Sequence, residues 1–123
     1  MPERLFALRG AISVNRNDAQ DILDATEELM KAIMERNALV PENVVSCIFT
    51  ATNDLNAEFP AVAARALGFD HVPLLCAREI AVPRSLPRVI RVLIHYHAQE
   101  DHVPRHIYLG EAGSLRADLK AAQ

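Results

Sequence analysis

The sequence predicts one α/β (α+β) domain spanning residues 1–123, with a five-stranded mixed sheet, one long helix and one short helix. Three observations carry this expectation. Five short runs rich in Val, Ile, Leu, Phe and Tyr are separated by clusters of Pro, Gly, Asn and Asp, the pattern of strands and turns. Two segments change to helical spacing instead. The length, 123 residues, suits a single core.

Taken in order, "RLFALRGAISV" alternates as a strand from Arg4 to about Arg9 and is expected to break at Gly10. "NRNDAQDILDATEELMKAIMERN" follows with a 3.6-residue period. Asn17 is the expected N-cap with Gln20 three residues on, and Asp18 and Asp21 sit where the helix dipole favours negative charge. Ile22, Ala25, Leu29 and Ile33 form its apolar stripe, while Glu27 and Lys31 pair outward. After the turn "LVPEN", "VVSCIFTAT" reads as a strand apolar enough to be buried on both faces. "NDLNAEF" is loop, and "PAVAARALG" a short helix with Pro60 at its start and Gly68 past its end. "HVPLLCAREI" is the third strand and "RVIRVLIHYH" the fourth, with Pro83 and Pro87 bracketing the turn between them. "RHIYL" is the fifth, and "EAGSLRADLKAAQ" an irregular tail.

Five strands at about 4.8 Å spacing make a sheet roughly 24 Å wide, whereas a helix is about 10 Å across. One long helix cannot cover even one face of it. Strands this apolar still need cover, so other subunits are expected to provide it.

Composition narrows the function. Half the residues are hydrophobic, 24% are charged and the net charge is −3, so no global field draws nucleic acid or an anionic membrane. No window reaches the roughly 18 uncharged apolar residues of a membrane span. "MPERLFALRG" lacks the apolar stretch of a secretory signal. Cys47 and Cys76, both inside apolar runs, suit reduced thiols of a cytoplasmic protein. Eleven arginines stand against two lysines, and the arginine fork grips carboxylates and phosphates in two places.

The informative arginine is Arg91, in the middle of an apolar strand. Alternation puts Val89, Arg91, Leu93, His95 and His97 on one face and Ile90, Val92, Ile94 and Tyr96 on the other. A guanidinium among aliphatic neighbours needs an anion: either a structural partner such as Glu79 or Glu111, or a ligand. Glu79 itself could pair with Arg91 or accept from a ligand hydroxyl. Cys76 could be a nucleophile, but no His–Asp grouping is evident from the spacing, and a lone cysteine with apolar flanks is more often core. Arg9 falls at a corner, at a cleft edge or in solvent. Arg65 on the short helix would pass as a surface residue. His95 and His97, and His102 and His106, lack the helical spacing of a metal site, so no metal is expected. The four glycines form no phosphate-cradling loop, so no nucleotide cofactor is expected either.

"LRGAISV", "FTATNDLNAEFPAVAARALG", "VPLLCAREI", "PRVIRVL" and "RHIYLGEAGSLRADL" together resemble the monofunctional chorismate mutases of the trimeric, barrel-like class. The resemblance runs from about Leu8 to Leu119 with the blocks in family order. It implies a homotrimer forming a pseudo α/β barrel, with active sites at subunit interfaces, no cofactor and chorismate as substrate. The implied reaction is the pericyclic rearrangement of chorismate to prephenate in aromatic amino-acid biosynthesis. Arg91 would face the ether oxygen and one carboxylate, Arg9 and Tyr108 would bind a carboxylate, and Glu79 would accept the ring hydroxyl. Cys76, Leu74 and Leu75 would line the pocket. Phe59, Ala61 and Arg65 would be the wall from the neighbouring subunit, and Leu115 and Arg116 the tail that closes over it. Val62 and Leu75 depart from some relatives, which carry a lysine and a threonine there. Two alternatives stay open on residues alone: a trimeric imine or enamine deaminase, and a non-catalytic module binding an aromatic-pathway metabolite.

Overall fold

The computed structural model describes residues 2–114. Five strands, β1 (Glu3–Ser13), β2 (Val44–Ala51), β3 (Leu74–Arg78), β4 (Val89–Gln99) and β5 (Ile107–Leu109), form one sheet in the order β3-β2-β4-β1-β5. It is mixed: β1 and β2 each pair antiparallel with β4, while β3 runs parallel to β2 and β5 parallel to β1. Helix α1 (Ala19–Arg36) and the short α2 (Ala61–Ala64) complete the fold expected from the sequence.

The helix face of the sheet carries the core. Ile22, Leu29, Met30 and Ile33 of α1 pack on Phe6, Leu8, Phe49, Ile90, Val92, Ile94 and Tyr96. Alternation along β4 was therefore legible, because Ile90, Val92, Ile94 and Tyr96 are all buried. The opposite face is open. Following the register across it, Leu5, Ala7 and Arg9 of β1 lie beside His97, His95 and Leu93 of β4, and Ile48 and Thr50 of β2 beside Leu93 and Arg91. All are exposed or half-buried. A small second cluster of Ala11, Val89 and Ala112, with Leu86 and Tyr108 against it, closes one end of that face.

Four local expectations are corrected. The first strand does not break at Gly10. A Cβ there would meet Ile33 Cδ1 at 2.8 Å, so glycine marks the close approach of α1 to the sheet, not a turn. The N-cap is Asp18, whose carboxylate accepts from the Asp21 N–H at 3.1 Å. Asn17 instead accepts from the N–H groups of Asn56 and Ala57 at 3.0 Å, pinning the loop that leads to Phe59. β2 is buried on one face only: Cys47 and Phe49 are fully buried, Ser46, Ile48 and Thr50 half-buried. The third strand is shorter than its apolar run. Pro73 has no N–H to donate, and it closes the pairing only through its carbonyl, which accepts from Cys47 N–H at 3.1 Å. After α2 the chain continues as a wider π-turn, Arg65–Phe69, in which Gly68 (φ 100°) leaves the right-handed region and Phe69 is buried.

Candidate active site

Arg91 lies on the open face, at the level where β2, β4, β1 and β5 run side by side. Thr50 is opposite it on β2, Ala11 opposite it on β1, and Tyr108 is the neighbour of Ala11 on β5. Arg91 and Tyr108 thus flank one alanine across two strand spacings, about 10 Å. Arg9, two residues before Ala11, shares the face. The strands therefore assemble two guanidiniums and one phenol at a single end of an uncovered sheet.

Glu79 joins them from just past β3. Its N–H bonds to the Ala51 carbonyl at 3.0 Å, which fixes its backbone at the end of β2. Its Oε2 lies 3.3 Å from Arg91 Nε and accepts a hydrogen bond from Thr50 Oγ1 at 2.7 Å. Thr50 is the site residue that sequence reasoning missed. Its signal was present: a hydroxyl on the face opposite Cys47 and Phe49, one strand from Arg91.

Arg91 is paired but not consumed. The Arg91 side chain is 43% exposed and Glu79 only 15%. Arg91 Nε is buried, and its contact with Glu79 lacks hydrogen-bond geometry, so it counts as unsatisfied. Among the described residues one other buried side-chain polar atom has no partner, the hydroxyl of Tyr108. Buried polar groups are ordinarily paired, and exceptions in folded proteins ask for a reason. Both exceptions here fall on the same patch. Glu111, the other structural partner considered for Arg91, makes no ion pair with it among the described residues.

Arg9 has no carboxylate partner among the described residues. Its N–H donates to His106 Nδ1 at 2.9 Å, tying β1 to the segment entering β5. Partial burial, and then the Arg9 cation, lower the His106 pKa from 6.5. Gly110 turns the chain out of β5 at φ 61°. A Cβ there would meet Ser13 Oγ, the atom that accepts the Glu111 N–H at 2.8 Å.

The remaining expected residues divide. Leu75 is 61% exposed on the open face beside Ile48. Cys76 and Leu74 alternate onto the other face and pack against the main core, so the Cys76 thiol is not aimed at the Arg91 patch. Burial, and to a lesser degree Cys76, push the Cys47 thiol up to about 12, so neither the position of Cys76 nor the acidity of Cys47 suggests a nucleophile. Cys76 instead lines a cleft of about 410 Å³ with Leu55, Phe59, Pro60 and Arg78. Phe59 is 66% exposed at its edge, and Arg65 is exposed on the turn after α2. Ala61 is 5% exposed in its own core, so its side chain has little to offer a neighbour. Leu115 and Arg116 lie outside the described residues.

This array can bind an anionic ligand and oppose developing negative charge with a guanidinium cation. It presents one carboxylate as a hydroxyl acceptor.

Comparison with known proteins gives a consistent result. The family model "Chorismate mutase type I" matches residues 5–119. The chain is 49% identical over 119 residues to a chorismate mutase of Thermus thermophilus, covering 94% of this chain and 97% of that one. It is 40% identical over 115 residues to a chorismate mutase of Bacillus subtilis, covering 91% and 90%. A solved chorismate mutase structure from Clostridium thermocellum superposes with a TM-score of 0.84 at 41% identity, covering 89% of this chain and 98% of that one.

Proposed function

The chain belongs to the type I chorismate mutase family and converts chorismate to prephenate, and on that premise we propose that the reaction takes place on the Arg91 face, against a neighbouring copy. The enzyme is an isomerase of aromatic amino-acid biosynthesis. The rearrangement is intramolecular: the ether C–O bond breaks ahead of C–C bond formation, and negative charge collects on the departing oxygen. Arg91 meets that charge. Arg9 and Tyr108 hold a carboxylate, and Glu79 accepts the ring hydroxyl through Oε1, the oxygen its internal partners leave free. Holding the side chain over the ring removes orientational freedom before the reaction.

The observation that carries this reading is that the two buried side-chain polar atoms without a partner among the described residues, Arg91 Nε and Tyr108 Oη, fall on one sheet face. Cys76 contributes its main chain. Cys47 N–H bonds to the Pro73 carbonyl and Glu79 N–H to the Ala51 carbonyl. Residues 73, 75, 77 and 79 therefore turn their backbone toward β2, and Cys76 turns its own to the free edge.

The enzyme works as a homotrimer within the cytoplasm, with residues 1–123 as one domain. Half of each site is the Arg91 face and the other half a wall of Phe59 and Arg65 from the next subunit. The uncovered aliphatic face supports this. Leu5 (52% exposed), Leu75 (61%) and Phe59 (66%) are more open than a lone protomer needs. The test mixes subunits. Arg91→Ala and Phe59→Lys chains, each inactive alone, are unfolded together and refolded. In a cyclic trimer with shared sites roughly a quarter of the sites regain both halves, and activity returns to about that fraction. No recovery on mixing refutes the shared site.

A further inference from the structure

We infer that Thr50 is a positioning residue that keeps the Glu79–Arg91 pair open for substrate. The inference rests on the roles given above to Glu79 and Arg91 and adds a residue to them.

A glutamate beside an arginine ordinarily closes into a two-pronged, charge-assisted hydrogen bond. Here it does not. Glu79 Oε2 approaches Arg91 Nε to 3.3 Å without hydrogen-bond geometry, and among the described residues Nε stays unsatisfied. The same Oε2 is held by the Thr50 hydroxyl at 2.7 Å. Thr50 is rigid in two ways: it is β-branched, and it sits in the paired interior of β2 with Arg91 opposite and Ala77 on its other side. Its hydroxyl anchors one carboxylate oxygen to the sheet. Rotation of the carboxylate onto the guanidinium would break that bond.

Two consequences follow. Glu79 Oε1 is left to accept from the substrate, and the outer nitrogens of Arg91 are left to face the departing oxygen. Without the hydroxyl, the carboxylate is free to close on the guanidinium, and the substrate must then compete with an internal anion for the catalytic charge.

The test compares Thr50→Val, which keeps the shape and removes the hydroxyl, with Thr50→Ser, which keeps the hydroxyl. Hydrogen bonds to charged groups suggest a loss of about ten-fold or more for the valine variant. The loss falls on kcat more than KM, because the cation acts chiefly in the transition state. Serine restores activity to within about three-fold of wild type, since the donor is back. In a Glu79→Ala background the valine change adds no further loss, because Thr50 acts only through Glu79. Wild-type turnover in Thr50→Val overturns the inference, as does an equal loss in the Glu79→Ala background. If the valine chain does not assemble, Thr50→Ala against Thr50→Ser decides, and equal activity of those two overturns it. Full activity of Glu79→Ala alone would instead refute the role given to Glu79.

Discussion

Replacing Tyr108 by phenylalanine removes one oxygen, and the proposed site gives that oxygen opposite effects on stability and activity. Among the described residues the hydroxyl is buried and finds no partner. An unpaired buried donor costs on the order of 1–3 kcal/mol, so Tyr108→Phe should make the unliganded enzyme more stable by up to that amount. For a domain of this size each kcal/mol moves Tm by roughly 3–6 °C. On the proposed reading the hydroxyl donates to a substrate carboxylate in the complex. Losing a hydrogen bond to a charged group costs about 1.5–3 kcal/mol, or roughly 10- to 150-fold in kcat/KM. Thermal unfolding without ligand and a chorismate-consumption assay read the two effects on one sample. A rise in Tm with a fall in kcat/KM is expected. A lower Tm with unchanged kinetics would mean that the hydroxyl has a structural partner in a neighbouring copy, and the assignment of Tyr108 to substrate would be wrong.

Two further outcomes follow from the same geometry. Gly10→Ala drives a methyl group against Ile33 Cδ1 and the Ile107 carbonyl, 2.8 and 3.3 Å from the ideal Cβ. It should destabilise by about 1–3 kcal/mol in a denaturant titration, and an unchanged midpoint would contradict the close approach of α1. His106 accepts the Arg9 N–H, and its folded pKa lies below 6.5, so the unfolded chain takes up the proton first. Stability is therefore complete above 6.5 and declines as pH falls from there through the folded value. Tm followed downward from about pH 7.5 should show this decline, and His106→Gln should flatten it.

Much of this fold was legible because it rests on periodicity. The stripe of Ile22, Leu29 and Ile33 and the alternation of Ile90, Val92, Ile94 and Tyr96 both mark the core face they occupy. Arg91 was legible for the complementary reason, a charge in phase with the open face. What periodicity does not encode is which strand lies beside which. Gly10 looked like a break because the sequence does not show α1 crossing over it. Cys76 was placed with Glu79, although alternation in β3 turns its side chain to the opposite face. Thr50 escaped notice because its value depends on β4 lying next to β2, a pairing of residues far apart in the chain. Of the residues expected to form a wall, Phe59 is exposed, whereas Ala61 is buried in its own core.

The central claim is that a fixed positive charge at position 91 carries the rate. With about half an electron charge forming roughly 3 Å from the guanidinium at an effective dielectric near 20, the interaction is worth about 2.8 kcal/mol, or two powers of ten. The direct measurement is kcat for chorismate in Arg91→Ala, with the oligomer shown by native mass to be intact. The account predicts a fall of about 10²- to 10³-fold or more. Turnover equal to wild type in that variant would contradict it.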